Sequence, residues 1–161
     1  MDIHNKISLA GELLVEAIKI YRHGETNIDF SKSILLAGAV IGIVAPYLEE
    51  LGIKPTQIRL AELATSLRNI DLEQLKQTER KKEIAKSIKL YRMTYNSLKH
   101  AGESKKAPPS QDLTFEANLK EEAYYLIGHA IDDFKKIPFT PKQLNNEFSD
   151  DLLDLLQAFW P

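Results

Sequence analysis

Apolar residues recur every three or four positions along almost the whole chain, and no stretch alternates for long enough to suggest a strand. A first helix is predicted from about Asp2 to Arg22, with Ile3, Ile7, Ala10, Leu14, Ala17 and Tyr21 on one face and Gly24 ending it. A second is predicted from Asp29–Ser31 to Leu51. It is apolar nearly all round, so neighbouring helices should enclose it. Pro46 should bend or interrupt this helix, because its ring excludes the carbonyl four residues earlier. A third helix opens after Lys54-Pro55-Thr56, with Leu60, Leu63, Ala64 and Leu67 as its apolar stripe.

A fourth helix is predicted from Leu72 or Glu79 to Lys99, carrying Ile84, Ile88, Tyr91, Tyr95 and Leu98 at helical spacing. Residues 103–111, with Pro108, Pro109 and two lysines, read as a loop. A fifth helix is predicted from about Asp112 to Lys136. Phe115, Leu119, Ala123, Leu126, Ile127, Ala130 and Phe134 form its stripe. Thr140-Pro141-Lys142-Gln143 has the form of a capping box with proline at N1, so a last helix should run from about 140 to 159. The fold expected is a single all-α domain over residues 1–161, an up-and-down-like bundle of five to six helices. The second, fourth and fifth are expected at its centre, and the last should pack on a body of about residues 1–136.

Composition narrows the chemistry. The 161 residues include no cysteine, which excludes disulfides, thiolate nucleophiles and cysteine-based metal sites. The most apolar stretch, Ile34 to Leu48, is shorter than the ~20 residues a membrane span needs. Met1 to Asn5 lacks a basic flank leading into an apolar run. A cytoplasmic protein without membrane contact is expected. The net charge of −2 conceals an asymmetry. Between Arg68 and Lys106, Lys and Arg outnumber Asp and Glu by six, whereas residues 107–161 are acidic by the same margin. Either the two sections neutralise one another across the fold, or the basic one forms a face for phosphates.

No phosphate-binding glycine loop, nucleophile elbow or zinc-helix motif is present. No glutamate stands three residues before any of the four histidines, so neither a metal nor another cofactor is predicted. His129 has Asp132 and Asp133 at i+3 and i+4. That spacing orients an imidazole or supplies ligands. The plainer reading is a partly exposed histidine stabilised by local carboxylates. Arg92, Asn96 and His100 follow at i, i+4 and i+8 along the rim of the fourth helix. A histidine beside a fixed arginine and an amide suits phosphate chemistry, the histidine as acid or base and the arginine as charge stabiliser. The structural alternative has Arg92 paired with an acid of the fifth helix, Asn96 bonded locally and His100 capping the helix.

Tyr95-Asn96-Ser97-Leu98-Lys99-His100 resembles the R-N-x-L-K-H segment of the HEPN superfamily. Ser33–Ala39 resembles an apolar L-x-L-A-G-A stretch on an early helix of some members, and Glu122–Ile131 resembles the E-A-x-x-x-I-x-x-A-I helix after their motif loop. The resemblance implies an all-α homodimer. Active members are metal-independent ribonucleases of toxin or defence type whose R-x4-6-H motifs meet across the dimer. His100 and Asn96 match that motif, but Tyr95 stands at the arginine position and Arg92 lies one turn earlier. A tyrosine supplies no fixed positive charge. The expectation is therefore a non-catalytic or degenerate, nucleic-acid-associated or regulatory module. Its partners would be a second copy, RNA and a cognate protein. Lys99, Lys105 and Lys106 would steer phosphates. The alternatives are an endoribonuclease using Arg92, Asn96 and His100, and a purely structural protein-interaction module.

Overall fold

A computed structural model describes residues 3–68, 70–100, 113–140, 149–152 and 154. All regular structure among them is helical. The helices are α1 (Lys6–His23), α2 (Asn27–Glu50), α3 (Thr56–Leu67), α4 (Gln77–Tyr91), α5 (Met93–Lys99) and α6 (Leu119–Lys135). Residues 150–152 and 154 are also helical. Most of the segment expected to form the last helix, like Lys105 and Lys106, lies outside the described residues.

The apolar core is built from three of these helices. Leu14 and Ile18 of α1, Ile34, Ile41, Val44 and Leu48 of α2, and Ile127, Ile131 and Phe134 of α6 are all but fully buried together. Burying one such side chain is worth roughly 1.5–3 kcal/mol. The helices expected second and fifth, α2 and α6, are thus central as expected, but α1 takes the central place expected of the fourth. The reason lies in α4, where Ser87 is the one buried residue and lysines line the outside. Ser33 adds a polar tie, its buried hydroxyl donating to the Ala17 carbonyl of α1 at 3.0 Å.

Local signals account for several ends. Thr26 and Asp29 form a reciprocal capping box, so α2 begins slightly before the apolar run does. Its other end closes on Gly52 at φ +71°, with Gly52 N–H donating to Glu49 and Ile53 N–H to Leu48. This pairing satisfies the last carbonyls and needs a residue tolerant of the left-handed region. Pro46 does not interrupt α2, which runs on to Glu50. Gly42 and Pro46 both face solvent, where water can take the carbonyl that the proline ring leaves unpaired.

Three further expectations need correction. Residues 113–118 are not helical, so α6 starts at Leu119 behind its cap Asn118, and Phe115 stands outside it, 41% exposed. The expected fourth helix is broken at Arg92 (φ −106°, ψ 6°) into α4 and α5. The expected leucine stripe of α3 is not its buried face. Leu63 and Leu67 are 56% and 75% exposed, while Thr56, Gln57, Ala61 and Thr65 form the buried face.

α3 and α4 hold each other largely through polar groups. Arg68 donates to Ser87 Oγ at 3.2 Å, Arg80 pairs with Glu62 at 2.8 Å, and the Tyr91 hydroxyl donates to the Leu60 carbonyl at 3.2 Å. The two helices form an arm beside the three-helix core. From the arm, α5 turns back onto α2, and the Tyr95 ring lies flush against Gly38. Any Cβ at Gly38 would overlap that ring. Gly38→Ala should therefore destabilise the protein by about 1–3 kcal/mol. Most of that loss should disappear in the Tyr95→Ala background, as measured by urea denaturation in a double-mutant cycle.

Candidate functional site

A buried carboxylate organises the junction where the arm meets the core. Asp133 of α6 is fully buried. Its Oδ1 accepts from the Thr56 backbone N–H at 2.6 Å, from the Lys136 ammonium at 3.1 Å, and lies 2.7 Å from the Thr56 hydroxyl. A hydroxyl has one proton, and Asp132 Oδ2 also lies within reach of it, so Thr56 donates to one carboxylate at a time. Lys136 closes the cluster with contacts to Thr56 Oγ1 at 2.6 Å and Asp132 at 3.1 Å. The first N–H groups of a helix have no partner within it, and Asp133 supplies one for α3.

Burial alone would raise the Asp132 pKa. Hydrogen bonds from Thr56 and Lys136 outweigh it and hold the group below its ordinary value. His129, one turn before Asp133, is shifted down chiefly by burial, against the opposing pull of Asp133 and Asp132. Its Nδ1 is sealed from solvent without a hydrogen-bond partner, as are Gln57 Nε2 and Asp133 Oδ2. The imidazole is thus half-buried at the centre of the junction. Among the described residues no group of three or more His, Asp or Glu is arranged to hold a metal ion.

Arg92 and Asn96 line one shallow, open groove together with Ala85, Ile88 and Lys89. Arg92 does not pair with an acid of α6. Its Nε donates to Gln57 Oε1 of α3 at 2.6 Å. Burial lowers its pKa, partly offset by Tyr95, Asp133 and Glu49. His100 is exposed at the C-cap of α5, its N–H donating to the Asn96 carbonyl, and is not part of the groove lining. The break at Arg92 means that the three residues do not follow one regular helical spiral. Lys99 is exposed with its ammonium 4.9 Å from the centre of the Tyr95 ring, a cation–π contact.

Thr56, Gln57, Lys136, Glu122 and Tyr125 were not singled out by sequence reasoning. The His129-x-x-Asp132-Asp133-x-x-Lys136 spacing was the one available signal, since it sets a cation one turn from two acids. The sequence does not show that α3 docks its N-terminus there. No family model matches the chain, and no curated protein or solved structure is significantly similar to it.

The pKa directions give a stability profile. Folding lowers the His129 pKa from 6.5, so the unfolded chain takes up its proton first and stability falls as pH drops through that value. Asp132 also binds its proton more weakly when folded. It adds a separate loss only below its ordinary 3.8. The urea midpoint should fall between about pH 7.5 and about pH 5.5, and His129→Gln should flatten that step. An unchanged step in the variant would assign the loss to another group.

Proposed function

We propose that this chain is a non-catalytic helical module, HEPN-like in kind, that associates with nucleic acid through α4 and works as a homodimer. The observation that carries this reading is the exposed basic face of α4. Lys82, Lys86 and Lys89 follow at i, i+4 and i+7, all exposed, and Lys81, Lys82 and Lys89 make no ion pair among the described residues. Lys89 also lines the groove with Arg92 and Asn96. Point cations along an exposed helix suit a phosphate backbone, which recruits them without base-specific contacts.

Two features favour a non-catalytic member. Tyr95, at the position where active relatives in the resembling family have arginine, serves packing against Gly38. Arg92 is tied to α3 through Gln57. The outward leucines of α3, with Leu90 at 68% exposure, leave an apolar surface suited to a protein partner such as a second copy. The second reading, an endoribonuclease, is favoured by the shared groove of Arg92 and Asn96, with His100 one turn beyond.

Mixed-sequence single-stranded RNA, followed by fluorescence anisotropy in metal-free buffer, tests both. Binding should weaken steeply with salt. The Lys82→Gln/Lys89→Gln variant should lower the logarithmic salt slope by about 1.4 while leaving the melting temperature in place. The RNA should stay intact with the wild type. Cleavage that His100→Ala abolishes would establish the ribonuclease reading instead, and absence of binding at low salt would remove the nucleic-acid role.

A further inference from the structure

Two adjoining, partly open hollows of about 370 and 450 Å3 share Leu60, Tyr125 and His129, the first between α3 and α6 and the second between α3, α4 and α6. Volumes of this order suit a small organic ligand. The larger one is lined by Tyr91, Tyr125 and His129, by leucines including Leu60 and Leu90, and by Glu122. Among the described residues, no lysine or arginine lines it.

The arrangement of these groups is selective. The Tyr91 and His129 ring planes stand at 75° with centroids 6.2 Å apart, so they form a corner rather than a stack. Tyr125 is held by an edge contact with Tyr124 at 5.7 Å and keeps 54% of its surface exposed. The negative faces of aromatic rings attract cations, and rings set at steep angles can offer more than one face to a compact charge. Glu122 is half-buried in the first turn of α6 and makes no side-chain hydrogen bond or ion pair among the described residues. A carboxylate at the edge of an apolar, ring-lined hollow lacks a counter-charge, and an anionic ligand would be repelled by it. The neighbouring hollow differs in carrying Arg59.

We propose that the hollow between α3, α4 and α6 is a binding site for a small organic cation of quaternary or methylated ammonium type. Its methyl groups would pack on Tyr91, Tyr125 and the leucines, and its charge would be balanced by Glu122. The proposal is independent of the nucleic-acid reading, since it uses none of the lysines of α4.

The full-length protein should be titrated with tetramethylammonium and with choline, followed by NMR of the His129 and tyrosine ring protons and by calorimetry. The uncharged isostere 3,3-dimethylbutan-1-ol serves as control. Saturable binding is expected for both cations, with the alcohol weaker by about tenfold or more. Glu122→Gln should weaken cation binding by about tenfold and leave the alcohol unchanged. Tyr125→Leu, a change at an exposed position that the fold should tolerate, should weaken it comparably, whereas Tyr125→Phe should retain it. No saturation up to tens of millimolar, equal binding of the alcohol, or an unaffected Glu122→Gln variant would each overturn the assignment.

Discussion

The carboxylate of Asp133 lies at the boundary between two differently built parts of the molecule. On one side, α1, α2 and α6 share a continuous apolar core. On the other, α3 and α4 hold one another through Arg68, Arg80, Tyr91 and their polar partners, and contribute little to that core. What joins them is a buried acid on α6 that receives the first backbone N–H of α3 and the Lys136 ammonium. At zero exposure the carboxylate relies on the contacts of Oδ1 alone, Oδ2 having no partner, so the geometry of this joint is tightly specified. The setting of the half-buried His129 and the shape of the ring-lined hollow depend on where α3 and α4 rest against α6.

The same joint explains why α3 is apolar on its outer side. Its inner face is set by the residues that must meet Asp133 and Arg92, namely Thr56 and Gln57, followed by the small Ala61 and Thr65 at close approach. The leucines are left outward by the helical phase. Some are absorbed by the hollows, as Leu60 is, while Leu63 and Leu67 stay in solvent. A helix docked by hydrogen bonds rather than by its apolar stripe keeps that stripe available for other contacts.

These relations also mark the limit of what was legible in the sequence. The bodies of α1, α2 and α6, though not the start of α6, followed from periodicity, and Leu14 and Phe134 of the expected stripes lie in the core with Ile34 of the nearly all-apolar second helix. Such residues obey a local rule, since burial of an amphipathic face needs no knowledge of the partner. The break at Arg92 had no glycine or proline to announce it. Tyr91 bonds α3 on one side of it and Tyr95 seats on Gly38 of α2 on the other, so its cause is tertiary. The outward stripe of α3 failed for the same reason. The motif residues were expected along one continuous helix, which the break at Arg92 divides, and the contacts of Arg92 with Gln57 and of Tyr95 with Gly38 could not be read from spacing. His129 was correctly seen beside two carboxylates, but not at the centre of a junction.

The central claim is that Asp133 fastens a separable arm to a self-sufficient core. Native-state hydrogen exchange on Asp133→Ala, read helix by helix, tests it most directly. Loss of one partner in a buried charged network costs about 3–5 kcal/mol. Amides of α3 and α4 should accordingly exchange several hundred-fold faster or more, while α1, α2 and α6 keep the greater part of their protection. Equal loss of protection in all the helices, or undiminished protection in α3 and α4, would contradict the account.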